Sequence, residues 1–370
     1  MMNVSGLSRR DFIKSAGLMG ASAVLLANKA EIVQAFETAK NNGVKLVWIQ
    51  GQSCTACTIS LLQADNPDLY DAIEELKVNV AFHQTVMQPF GDEAIKILEE
   101  VEPDVLVLEG AIPIGMKEAC LLGEKNGQPI YFEDWVKQLV SKTKVAVVGF
   151  GVCATYGGIP AAKDGLGSSY ENGSVTGAVG LYDFFKKYGK PSVPVVFIPG
   201  CPGHPDWLMI VLASILLGIV PEVDEYYRPK AMFSRIIHDN CPRRGYYGKG
   251  QFAADLTETD AKYETCLYKV GCKAPFVYAA CAETRWNSGL NVCMNAGAPC
   301  IGCMDPGFPD KMSPFYESRE STEIMFGIDP TTLGKVAVGA AVLGVAAHAV
   351  RRGRKHPEIK DDEIEKTKKK

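Results

Sequence analysis

The chain has 370 residues, is 47% hydrophobic and carries a formal net charge of -4. That length can bury one large core or two smaller ones, and so even a balance of charge gives no reason to expect a nucleic-acid partner. Twelve cysteines could suggest a disulfide-rich exported protein, but the chain is long for that class and its cysteines fall at ligand-like spacings.

Taken in chain order, the first signal is Ser8-Arg9-Arg10-Asp11-Phe12-Ile13-Lys14, followed by a mild apolar stretch from Ala16 to Ala27. A basic pair ahead of a short apolar segment reads as a twin-arginine leader over residues 1–30, with processing near Ala30. An amphipathic surface helix is the alternative. Twin-arginine export carries proteins already folded with their cofactors, so thiolate sites could be filled inside the cell and used outside it.

From residue 44 the pattern becomes α/β. Val44–Gln50 is a continuous apolar run of the kind a parallel strand shows when both faces are covered, and Val78–Gln84, Asp104–Leu108, Lys144–Phe150 and Val193–Ile198 read the same way. Asp92–Val101 and Asp134–Val140 are helical stretches between them. Alternation of this kind predicts a flavodoxin-like doubly wound parallel sheet over residues 44–225. Cys120 lies in a stretch, Met116 to Leu122, expected to be helical and to bury an inert thiol. Gly157 to Thr176 reads as a long surface loop. Trp207 to Val220 is too short to span a bilayer and is expected to be a buried helix.

Over residues 230–325 periodicity fades while Cys, Gly, Pro and Asn become frequent, so metal centres are expected to organise this second domain. Thr331 to Val350 is an apolar stretch with Lys335 and His348 as its only ionisable residues, and Arg351, Arg352, Arg354 and Lys355 follow. It predicts a membrane anchor over 331–350 running from outside to inside, with a charged cytoplasmic tail over 351–370. The alternative is an Ala/Gly-rich soluble helix. His348 is either a functional intramembrane residue or a tolerated one near the helix end.

Eleven cysteines and one histidine sort into three four-ligand sets. The first is Cys54, Cys57, Cys153 and Cys201, each just past a predicted strand, where open parallel sheets bind ligands. Glu109 also follows a strand, so a carboxylate is expected at the same edge unless it is an ordinary surface acid. The second set is His238, Cys241, Cys266 and Cys272, and the third is Cys281, Cys293, Cys300 and Cys303. Each supplies enough soft donors for one cubane iron–sulfur cluster. A Cys3His zinc site would explain the second set alone. If Cys293 is a bystander, the third would hold a [3Fe-4S] centre.

The motifs Cys54-Thr55-Ala56-Cys57, Glu109-Gly110-Ala111-Ile112-Pro113, Gly151-Val152-Cys153-Ala154, Gly200-Cys201-Pro202-Gly203, His238-x2-Cys241, Cys266-x5-Cys272-Lys273 and Pro299-Cys300-Ile301-Gly302-Cys303 together resemble the small subunit of [NiFe] hydrogenases over residues 44–325. The resemblance implies a proximal cluster on the first set, a distal cluster on the His-containing set and a medial cluster on the third. It also implies a large subunit that carries the Ni–Fe site. Many members have proline near the position of Cys293 and a medial [3Fe-4S] centre; Cys293 here implies three [4Fe-4S] clusters. Oxygen-tolerant members add cysteines where this chain has Ala56 and Gly158, so the proximal cluster is expected to be ordinary and oxygen-sensitive. Ser53 stands where members usually carry glutamate. The implied role is electron transfer from H2 oxidation to a membrane cytochrome b or quinone-type acceptor on the periplasmic side, with a free-standing iron–sulfur carrier or a complex-I-like subunit as the alternatives.

Overall fold

The computed structural model describes residues 43–317 apart from 66–67, 75–76 and 164–172, together with residues 23–25, 341–344 and 348. Five strands form the central sheet: β1 (Val44–Gln50), β2 (Val78–His83), β3 (Val105–Glu109), β4 (Ala146–Phe150) and β5 (Val195–Ile198). All pairings are parallel and the order is β5-β4-β3-β1-β2. This is the flavodoxin order, in which the chain reverses direction across the sheet between β1 and β3. Every residue of β3, β4 and β5 is buried, as expected of strands covered on both faces. Edge strand β2 is buried only at Phe82 and His83.

Register places the site. Gln50 is paired with Glu109, Glu109 with Phe150, and Phe150 with Ile198. Four carboxyl ends are therefore flush, and the segments carrying Cys54, Cys153 and Cys201 all leave from one edge. Cys57 follows in the helix Ala56–Leu61, and Cys153 lies in the helix Val152–Tyr156. The fully buried Trp48, Trp135 and Trp207 anchor the layers around the sheet. Helix Phe132–Lys142 carries Glu133 and Asp134 in its first turn and Lys142 in its last, which suits the helix dipole.

Three expectations are corrected. Cys120 is not helical: a 3-10 turn, Lys117–Ala119, ends there and a hairpin of Leu121–Lys125 with Gln128–Tyr131 follows. The hairpin is reversed at Asn126-Gly127, both with positive φ, a turn chemistry that overrides the local helical propensity. Helix Pro205–Leu216 stops before Val220, because Gly218 turns at φ 78 into the short strand Ile219–Pro221. The Gly157–Thr176 stretch is not all loop, since Ile159–Ala161 forms a 3-10 turn.

Between Pro221 and Glu317 regular structure is confined to short pieces. These include the helix Lys230–Phe233, the 3-10 turn Ile237–Asn240 and the helices Arg244–Gly248 and Cys281–Thr284. The compact body extends to Glu317. The leader lies outside the described residues except Ala23–Leu25, a strand antiparallel to Ile219–Pro221. Of the expected anchor only residues 341–344 and 348 are described, and they are helical. Among the described residues no helix is long and apolar enough to cross a membrane.

Candidate metal centres

The first set comes together at the flush sheet edge. Cys57 feels Cys54 and Cys153 electrostatically, and Cys153 feels Cys54 and Cys201. Burial pushes the Cys153 thiol up to about 12 and that of Cys57 well above its ordinary value, with the charge of Glu109 adding to both. The backbone N–H of Gly203 donates to the Cys57 sulfur at 3.4 Å. Gly151, at φ 89, could not be another residue: a Cβ there would lie 2.4 Å from the Cys57 sulfur.

Glu109 is 1% exposed and is not a surface acid. Its Oε1 accepts from the Ser53 hydroxyl at 2.9 Å and the Cys57 N–H at 3.2 Å. Its Oε2 accepts from Trp48 Nε1 at 3.1 Å, Gln50 Nε2 at 3.1 Å and Thr58 Oγ1 at 2.5 Å. Ser53 thus occupies the turn as a donor to a buried carboxylate. His83 stacks on Trp48 with ring centroids 5.1 Å apart, and burial lowers its pKa against the opposing pull of Glu109. Sequence reasoning found Glu109 but not Trp48, Gln50, Thr58 or His83. Trp48 and Gln50 reach Glu109 only through the pairing of β1 with β3, which no local pattern announces.

In the second set Cys241, Cys266 and Cys272 lie within electrostatic reach of one another. His238 joins them through its 3-10 turn, with the Cys241 N–H donating to the His238 carbonyl at 3.2 Å. The His238 ring meets Tyr247 edge-on at 4.7 Å, and its Nε2 is buried without a hydrogen-bond partner. Burial lowers the His238 pKa, favouring the neutral imidazole a metal requires. Arg243, missed in the sequence, is buried beside this set and donates to the carbonyls of Thr265 at 2.9 Å and Thr259 at 2.7 Å.

The third set mixes buried and exposed residues. Cys281 feels Cys303 and Cys293, while Cys300 feels Cys303 and Cys281. Burial pushes the Cys303 thiol up to about 12 and those of Cys281 and Cys300 well above the ordinary range. Cys293 is exposed as a residue, although burial still raises its thiol pKa. Cys120 stands apart from all three sets, half-buried, its thiol raised to about 11 by burial.

The sets adjoin in a fixed order. Cys303 lies within electrostatic reach of Cys201, joining the first set to the third. The Cys300 N–H donates to the Cys272 sulfur at 3.3 Å, joining the third set to the second. His204 sits beside the first of these seams, fully buried, stacked on Trp207 at 4.7 Å and tilted against Trp286 at 4.5 Å.

The donors suit iron–sulfur clusters. All twelve cysteines are free, and burial makes bare thiolates costly unless metal replaces the proton. The Gly302 N–H donates to the Cys300 sulfur at 3.4 Å. Hydrogen bonds of this kind stabilise the charged sulfur.

Comparison with known proteins agrees with this geometry. The profile of the C-terminal domain of the NiFe/NiFeSe hydrogenase small subunit matches residues 233–316, and that of the NADH ubiquinone oxidoreductase 20 Kd subunit matches residues 54–215. The chain is 37% identical over 380 residues to the F420 non-reducing hydrogenase I small subunit of Methanosarcina mazei, covering 95% of this chain and 94% of the relative. It is 32% identical over 364 residues to the quinone-reactive Ni/Fe-hydrogenase small chain of Wolinella succinogenes, covering 95% and 97%. Its fold is similar to that of the [NiFeSe]-hydrogenase of Desulfomicrobium baculatum, at TM-score 0.66 and 35% identity, over 75% of this chain and 99% of that one. The complex-I-like alternative accounts for the first matched stretch and leaves the second unexplained.

Proposed function

Because this chain belongs to the small-subunit family of [NiFe] hydrogenases, we propose that it carries electrons from a Ni–Fe large subunit through three [4Fe-4S] clusters to a membrane cytochrome b or quinone-type acceptor. When bound, such clusters supply one-electron storage at three successive points. Cys54, Cys57, Cys153 and Cys201 would hold the first, Cys281, Cys293, Cys300 and Cys303 the second, and His238, Cys241, Cys266 and Cys272 the third. The observation that carries this order is the adjacency of the sets, with Cys303 in electrostatic reach of Cys201 and the Cys300 N–H donating to the Cys272 sulfur.

The remaining residues keep those donors in place. Gly151 lets the backbone close against Cys57, the Gly203 N–H donates to the Cys57 sulfur, and Cys281 and Cys300 are buried at the middle position. Cys293 supports a fourth ligand there rather than a [3Fe-4S] centre. Export to the periplasmic face rests on Ser8-Arg9-Arg10, and anchoring rests on the apolar stretch Thr331 to Val350 with its basic flank. The quinone-reactive relative supports the choice of acceptor class.

Metal analysis with EPR on the native complex, isolated through this chain, tests the reading. Three cubanes and one active-site iron give about thirteen Fe per Ni, with no [3Fe-4S] signal after oxidation. Iron without nickel or a large partner would replace the reading with a free-standing carrier, and a [3Fe-4S] signal would remove Cys293 from the ligands. Truncation after Ile328 should release the complex from membranes; retention would sink the anchor.

A further inference from the structure

The three sulfur sets differ in the fixed charge built beside them. At the first, the Glu109 carboxylate meets five donors and no acceptor. The direction of the two hydroxyls is locked: Ser53 Oγ accepts the Thr55 N–H at 3.0 Å, and Thr58 Oγ1 accepts Gln50 Nε2 at 2.7 Å, so each proton points to Glu109. The Gln50 amide is oriented in turn by Thr85 Oγ1, which donates to its Oε1 at 3.1 Å. A pocket of donors alone is built for the anion. All five partners are uncharged, so nothing cancels that charge.

At the opposite end Arg243 is 4% exposed, and its guanidinium donates to two neutral carbonyls. An arginine is charged at any working pH, and Cys241 and Cys266 both feel it. Arg244 adds the same sign from an exposed position, and Asp239 the opposite sign, also exposed, so solvent and salt weaken both. At the third set the buried Lys273 follows Cys272 and donates its backbone N–H to the Cys300 carbonyl at 2.8 Å, and the buried Asp305, two residues past Cys303, pairs with Lys311 at 3.2 Å, so charges of both signs stand near the middle position.

We propose that this chain separates the reduction potentials of its two outer centres with buried fixed charges, Glu109 lowering the first and Arg243 raising the last. The inference rests on the three-cluster reading above. A fixed anion in a poorly screened pocket opposes the arrival of an electron nearby, and a fixed cation favours it. Electrons are thereby drawn from the sheet edge toward His238, the direction of H2 oxidation. Glu109 and Arg243 act through the sulfur sets and are positioning residues for the relay.

The test is an EPR-monitored redox titration of the intact two-subunit enzyme, with signals assigned by Cys57→Ala, Cys281→Ala and Cys266→Ala. The wild type should show the first centre below the last. Glu109→Gln should shift the first centre's equilibrium constant about tenfold toward reduction, which is about 59 mV for one electron, and leave the last unmoved. Arg243→Met should lower the last centre alone. Arg244→Gln, at an exposed position, should lower it less, and by a margin that shrinks as salt is raised. If Glu109→Gln or Arg243→Met loses its cluster, the wild-type order and Arg244→Gln still decide. A reversed order, or intact clusters with unmoved potentials, would overturn the charge assignment alone. Absence of [4Fe-4S] signals from the wild type would overturn the three-cluster reading and this inference with it.

Discussion

Residues 44–216 and residues 218–317 hold sulfur by opposite means. In the first region a parallel sheet fixes four flush strand ends, and the cysteines are placed by connections leaving that edge. In the second, short helical pieces and isolated bridges run between cysteines, and the buried apolar side chains join the same core as the sheet. The first region has regular structure that needs no metal to form. The second has little, and on the proposed reading metal would supply part of its order. The same type of ligand can thus be an ornament on a fold or part of what orders one.

Iron removal is the harshest way to break this contrast. Chelation should leave the amides of β1, β3, β4 and β5 protected from hydrogen exchange while residues 230–317 lose much of their protection. Equal loss in both regions would mean that the sheet also depends on metal. Next in size is Gly151→Ala. The positive φ costs about 1–3 kcal/mol for a residue with a side chain, and the new methyl must displace the Cys57 sulfur. We expect lost iron at the first set with the sheet's far-UV dichroism intact, and full iron occupancy would contradict the geometry.

A smaller effect comes from acid. Burial lowers the pKa of His83, inside the sheet region, and of His204, at the seam, from the ordinary 6.5. As pH falls through 6.5 the unfolded chain takes up protons that the folded chain refuses. The stability associated with these groups is therefore complete above 6.5 and is lost between 6.5 and the folded values. The loss is about 1.4 kcal/mol for each unit of separation. Thermal midpoints measured from pH 8 to 5 should fall, and His83→Phe should flatten the fall; an unchanged slope would remove His83 from the account. Smallest of all is Lys96→Ala. The Lys96–Glu100 pair is 3.9 Å apart with both side chains about 70% exposed, so its loss should change urea stability by less than about 0.5 kcal/mol in either region's transition.

The sheet was legible because its strands are buried on both faces and therefore read as unbroken apolar runs, which leaves little room for another assignment. The twelve ligand candidates stood out too, since thiols and one imidazole at these spacings have few other uses in a long chain; that they hold clusters belongs to the proposal. What stayed hidden depended on contacts between distant positions. Nothing local marks Trp48, Gln50, Ser53 and Thr58 as donors to one carboxylate, because they converge on Glu109 only after β1 and β3 pair. Arg243 looks like any surface arginine until its two carbonyl partners bury it. The hairpin after Cys120 was a different kind of miss, because Asn126-Gly127 announced it and the helical propensity of its neighbours masked the signal.

Pro299 to Cys303 meets every sulfur set: Cys300 and Cys303 belong to one, the Cys300 N–H reaches the Cys272 sulfur of another, and Cys303 lies within electrostatic reach of Cys201 in the remaining one. On the three-cluster reading both intervals between centres share a joint only a few residues long, so lengthening or twisting it would alter the two spacings as a single variable.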